Sequence, residues 1–155
     1  MLADFGFAKK LDSNGRTFTK CGTPGYTAPE VLKQTEEETK EHSKRITDEN
    51  ANGYSYACDV WSWGVLVCEL VGGYNPFTKD SKCIMDTFSN ILNGRIIWPK
   101  NMPSILSQLL KKVFTNEPSQ RITLAEIKKS VYFQVSVSLI DKIVGSELEQ
   151  LGLII

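Results

Sequence analysis

The sequence predicts a mainly α-helical fold arranged around one buried central helix. Three observations carry that expectation. The stretch from Asp59 to Val71, DVWSWGVLVCELV, is apolar on nearly every face rather than along one stripe, as in a helix enclosed by its own domain. Downstream, SILSQLLKKVFT places Ile105, Leu106, Leu109, Leu110 and Val113 at helical spacing. Thr123 and Glu126 then match a capping box, opening a further helix to about Ser130.

In chain order, residues 2 to 8, LADFGFA, read as a short strand running into a turn at Gly6. KKLDSNGRTFTK is polar, with a tight turn expected at Ser13-Asn14-Gly15 and an extended piece at Thr17-Phe18-Thr19. CGTPGY, residues 21 to 26, holds two glycines and a proline and predicts a shaped loop. Ala28-Pro29-Glu30 predicts a short helix to about Lys33, because proline is tolerated in the first turn. Residues 34 to 50, QTEEETKEHSKRITDEN, bury too little surface to repay their ordering entropy and are expected as a mobile insertion. Asp59 is placed to cap the central helix, and Gly72-Gly73 with Pro76 to stop it. GGYNPFTKDS follows as a loop, then CIMDTFSNILNG as an amphipathic helix ending at Gly94. The tail from Val135 has apolar residues near helical period and finishes in Leu-Ile-Ile.

Composition narrows the function classes. Lys plus Arg and Asp plus Glu balance at 18 each, so no basic field points to nucleic acid. The central apolar stretch is too short to cross a bilayer and carries Glu69, which argues against a membrane span. Cys21, Cys58, Cys68 and Cys83 form no CxxC pair and sit within or beside apolar stretches, which suits reduced thiols in a cytoplasmic protein. His42 lies in a charged run and reads as solvated.

Asp-Phe-Gly alone is a weak tripeptide, but an ordered series is specific. Asp4-Phe5-Gly6 is followed by Cys21-Gly22-Thr23-Pro24, Ala28-Pro29-Glu30, Asp59-x-Trp61-Ser62-x-Gly64 and Arg121. With these residues the chain resembles the eukaryotic serine/threonine protein kinases from residue 2 to about residue 133. DFGFAKK and GRTFTKCGTPGYTAPEV look closest to the cyclic-nucleotide-dependent (cGMP- or cAMP-dependent) kinases. The resemblance implies a mainly α fold, the C-terminal half of a kinase large lobe and an incomplete domain. It divides the chain into an activation segment at 4–30, a charged insertion at about 34–50, a helical subdomain at 54–133 and a truncated or divergent tail at 134–155.

The resemblance also implies roles. Asp4 would hold Mg2+ bridging the phosphates of ATP, Phe5 would anchor it, and Gly6 would let the pair swing. Thr19 matches the activation-loop phosphosite and Lys9 a phosphate contact. Gly22-Thr23-Pro24 matches the shelf under the substrate, with Thr23 bonding the catalytic Asp and Lys. Glu69 and Tyr74 match groups that bind an arginine two residues before the acceptor, whereas Gly25 replaces a carboxylate usual in cAMP-dependent enzymes. Glu30 and Arg121 match a buried ion pair covered by Trp61, and Asp59 matches the anchor of a catalytic HRD loop. The implied partners are protein substrates, with some basic preference before the acceptor, and an upstream small lobe in the same chain.

The Gly-rich loop, the Lys–Glu pair and the HRD loop of such kinases do not occur in these 155 residues. The abrupt opening at Met1-Leu2-Ala3 adds to the expectation of a downstream fragment without kinase activity of its own. A pseudokinase or a scaffold using only the helical lobe is the rival expectation. Either way, one side of the central helix should stand uncovered.

Overall fold

The structure, a computed structural model, describes residues 4–34 and 53–135. Its first helix, α1 (Pro29–Leu32), opens with the proline at a position where a missing N–H costs nothing. The helices α2 (Ala57–Gly72), α3 (Ile84–Leu92) and α4 (Ser104–Val113) follow. A 3-10 turn at Pro118–Gln120 leads to α5 (Leu124–Lys129), and the backbone is helical again over 131–135. Among the described residues, β pairing is confined to one antiparallel bridge between Thr17 and Tyr54. None of the described helices is long and apolar enough to cross a membrane.

α2 begins two residues before the predicted start, and Asp59 does not cap it. Tyr56 is the N-cap residue, and the hydroxyl of Ser55 accepts the Ala57 N–H at 3.3 Å, so an orphan amide is satisfied upstream of Asp59. Asp59 lies exposed in the first turn, where its charge complements the helix dipole. The C-terminus stops as predicted. Gly73 takes the left-handed conformation at φ 71° and donates its N–H to Glu69 O at 2.7 Å.

One face of α2 builds the core. Trp61 is fully buried, stacked on Phe77 at 5.3 Å between ring centroids and edge-on to Phe114 at 5.1 Å. Val65 and Cys68 continue that face, and Ile91, Leu106, Leu110, Val113 and Ile127 close around it. α2 meets α4 at Gly64, where an added Cβ would lie 2.5 Å from Val113 Cγ1. The absent side chain is what allows this approach. α1 packs against α3.

The opposite face of α2 is bare, as expected of a lobe without the elements that would cover it, although composition alone suggested a helix enclosed on every side. Leu66 is 47 % exposed, Leu70 77 % and Val71 39 %. Ile105 likewise points outward while Leu106, Leu109, Leu110 and Val113 are buried, because the contact with α2 covers a narrower stripe than the apolar spacing. Residues 4–8 form no strand: Ala8 N–H donates to Phe5 O at 3.0 Å, closing a turn. Gln34 is buried rather than part of a solvated run. The insertion from residue 35 to 50 and the tail beyond Val135 lie outside the described residues.

The predicted capping box at α5 is complete. Glu126 N–H donates to Thr123 Oγ1 at 3.3 Å, and Thr123 N–H donates to Glu126 Oε2 at 2.8 Å. These bonds from Thr123 lower the pKa of the Glu126 carboxyl below its ordinary value.

Candidate functional site

A buried ion pair ties the site loop to the helical body. Arg121 donates to both Glu30 oxygens, at 2.6 and 2.8 Å, as a planar fork meeting a carboxylate. Two further N–H groups reach Ala57 O at 2.8 Å and Thr115 O at 3.0 Å. The guanidinium also lies 5.2 Å from the Trp61 ring centroid. One side chain therefore joins α1, the start of α2, the end of α4 and the 3-10 turn. Trp61 covers the pair.

The segment from Thr17 to Thr27 is pinned against the start of α2. Thr17 and Tyr54 exchange backbone bonds at 2.8 and 2.9 Å. The Tyr54 hydroxyl donates to Thr19 O, and Lys9 Nζ donates to Thr19 Oγ1. Thr19 is thus held through its carbonyl by a tyrosine and through its hydroxyl by a cation. Ser62 Oγ donates to Tyr26 O at 2.9 Å, fastening the end of the loop to α2. Tyr26 N–H and the Thr27 hydroxyl both donate to Thr23 O, at 3.1 and 3.0 Å. The Thr23 hydroxyl makes no hydrogen bond among the described residues, and Thr23 is exposed.

Between this segment, the Phe7–Leu11 arm and α2 lies a cleft of about 360 Å³, lined among others by Lys9, Thr23, Tyr54, Cys58 and Asp59. Thr17 also lines it; its hydroxyl is buried and has no partner among the described residues. Burial and the neighbouring Asp59 carboxylate push the Cys58 thiol up to about 12, so it stands neutral in the cleft. Burial, with Cys21, Cys58 and Asp59 nearby, raises the Tyr54 phenol as well. All four cysteines are free thiols.

At the far end of α2 the Tyr26 hydroxyl donates to Glu69 Oε2, and that bond raises the tyrosine's pKa. Asn75 Nδ2 donates to Gly25 O at 3.3 Å. Gly25 sits at φ 92°, and a Cβ there would lie 2.8 Å from Thr78 Cγ2, so both backbone and space demand glycine. Tyr74 donates to Trp98 O at 3.2 Å, with Lys79 Nζ 3.5 Å above its ring centroid.

Asp4 is the one non-glycine residue at positive φ among the described residues, at 58°. Its Oδ1 accepts the Gly6 N–H at 3.2 Å, a local bond that lets Asp occupy this region. Phe5 is 69 % exposed and touches no core cluster, so it does not anchor Asp4 among the described residues; the turn carries its ring into solvent.

The structure brings Lys9 to Thr19, and Glu30 to Arg121 under Trp61. It leaves Asp4 apart from any group of three or more metal-ligating side chains among the described residues. Sequence reasoning missed Tyr26, Asn75, Lys79 and Tyr54. Asn75 before Pro76 carried a turn signal, and Asn75 Oδ1 does accept the Phe77 N–H at 3.0 Å. The Tyr26–Glu69 contact spans 43 residues and left no local mark.

A pinned loop, a carboxylate in a glycine-flanked turn and an Arg–Glu tie across a helical lobe define a kinase-like arrangement. Residues 1–133 match the family described as protein kinase domain, and the chain belongs to that family. It is 37% identical over 121 residues to the cAMP-dependent protein kinase catalytic subunit 3 of Drosophila melanogaster, covering 78% of this chain and 17% of that protein. It is 37% identical over 139 residues to the cGMP-dependent protein kinase, isozyme 2 forms cD5/T2, of the same organism, covering 85% of this chain and 13% of the relative. The cAMP-dependent protein kinase type 3 of Saccharomyces cerevisiae is 37% identical over 121 residues, covering 78% of this chain and 25% of the yeast protein. The chain thus spans a quarter or less of the length of each of these relatives.

Proposed function

We propose that this chain is the downstream part of the large lobe of a serine/threonine protein kinase, which transfers the γ-phosphoryl group of ATP to protein hydroxyls. The observation that carries this reading is the cleft between the pinned loop and α2. Asp59 and Thr23 stand exposed at it, and the Thr17 hydroxyl is left unpartnered there. A catalytic HRD loop seated in that space would give backbone donors to Asp59 and a partner to the Thr23 hydroxyl. No such loop occurs in these 155 residues, so on this reading they are inactive alone.

Asp4 offers one hard oxygen to Mg2+ and fits the ion as one donor of a larger set. When bound there, such an ion would supply positive charge against the ATP phosphates. Asp4's left-handed backbone is the kind of local strain that functional carboxylates retain. Thr19 accepts the regulatory phosphate. Lys9, already on its hydroxyl, then pairs with about 1.5 to 2 negative charges and holds the loop. Glu69 and Tyr74 take an arginine of the substrate, and Thr23 with its neighbours supports the residue after the acceptor.

A chimera tests the reading: the preceding kinase-domain residues of the similar Drosophila cAMP-dependent subunit are joined to residues 1–155. It should transfer labelled phosphate from ATP to a serine peptide in the presence of Mg2+. Asp4→Asn should reduce transfer by at least about a hundredfold while leaving the melt unchanged. A chimera with the relative's own melting behaviour that transfers nothing, or that is indifferent to Asp4→Asn, overturns the enzyme reading and leaves the scaffold role.

A further inference from the structure

The segment after α2 curls back on itself: Thr78 N–H and Lys79 N–H both donate to Asn75 O, at 3.4 and 3.2 Å. This places the Lys79 ammonium 3.5 Å over the Tyr74 ring centroid, within cation–π range. Among the described residues that ammonium has no carboxylate partner; the ring is its one polar contact. The ring is itself fixed by the bond from its hydroxyl to Trp98 O at 3.2 Å. A rigid π face therefore already carries a cation from its own chain. Glu69, the companion group, already accepts a bond from Tyr26.

We propose that Lys79 is an internal competitor at the Tyr74 face of the cation subsite assigned above to Tyr74 and Glu69, and so sets how strongly the chain prefers basic substrates. The inference rests on the substrate role given above to Tyr74 and Glu69. The Tyr74 face binds either Lys79 or a side chain of the incoming peptide, not both. A guanidinium stacks on an aromatic ring and pairs with a carboxylate through a planar fork, so arginine displaces the lysine. A substrate lysine offers no more than Lys79 already does, and it competes without advantage. The subsite therefore selects arginine over lysine as well as over neutral residues, at reduced affinity for both cations.

The test measures binding of three fluorescein-labelled heptapeptides by anisotropy at fixed salt, with the chain in the chimera described above and its melt checked to match the relative's. The peptides differ only in arginine, lysine or norleucine two residues before a serine. Lys79→Met should tighten the arginine and lysine peptides about two- to fivefold and leave the norleucine peptide unchanged. Lys82→Met, the same charge change on an exposed neighbour, should leave all three unchanged. Equal tightening by Lys82→Met overturns the proposal, because bulk charge then explains the gain. If Lys79→Met fails to tighten the arginine peptide while Glu69→Gln still weakens it, the competitor falls and the subsite stands. If the wild-type chain binds arginine and norleucine peptides alike, the subsite falls and the competitor with it. The Lys79 ε-methylene protons should also be shifted upfield by the Tyr74 ring in the free chain and return toward their ordinary position as arginine peptide is added. An unshifted resonance in the free chain overturns the proposal.

Discussion

Replacing Arg121 by methionine removes four donated bonds at once, two to Glu30 and one each to Ala57 O and Thr115 O. Glu30, whose side chain is 12 % exposed, would keep its charge without a partner, and two carbonyls would lose their donors. Breaking one side of such a pair costs about 3 to 5 kcal/mol. Every 1.4 kcal/mol or so is tenfold, so hydrogen-exchange protection should fall by about two to nearly four orders of magnitude, or to none. The amides to follow are Val31, bonded to Ala28 O at 3.1 Å, and Ile122, bonded to Lys112 O at 3.3 Å, since they flank the two partners. Arg121→Lys should recover little, because an ammonium has three donors and no planar fork. The double variant Glu30→Gln with Arg121→Met should lose less than the sum of the single changes, the neutral pair leaving no stranded charge. A drop under about fivefold for Arg121→Met, or strict additivity in the cycle, would refute the reasoning.

Gly64→Ala should loosen the α2–α4 contact by about 1 to 3 kcal/mol, since its new Cβ meets Val113 Cγ1 at 2.5 Å and the β-branched valine cannot yield; exchange at the Phe114 amide reports it. The bare face of α2, with Leu66 and Leu70, should bind an apolar dye at neutral pH and give a broad thermal transition. A sharp two-state melt without dye binding would count against that. Alkylation followed by mass mapping should modify exposed Cys83 well before Cys58 and Cys68, whose thiols burial pushes up to about 12. The folded chain keeps these two protons where unfolded thiols near 9 release them. Their stabilising contribution is therefore whole below about pH 9 and lost as pH rises to about 12, readable in urea midpoints across that window.

Much was legible in the chain because it is local. Proline at the start of α1, the capping box at Thr123 and Glu126, and glycine stops at Gly73 and Gly94 each act within a turn of the residue concerned. The motif series from Asp4 to Arg121 likewise named the family and the ion pair from residue identity alone. What misled was also local: Asp59 looked like a cap until Ser55 supplied the acceptor, and Ile105 shared the spacing of a core stripe that the contact with α2 did not reach. The tertiary structure alone decided which face of α2 is covered, that Tyr26 reaches Glu69, that Asn75 holds Gly25, and that Lys79 lies on Tyr74. Helical spacing tells which residues share a face, but burial depends on what packs across it. The partners of these side chains sit in other segments, and the path of the chain brings them within reach.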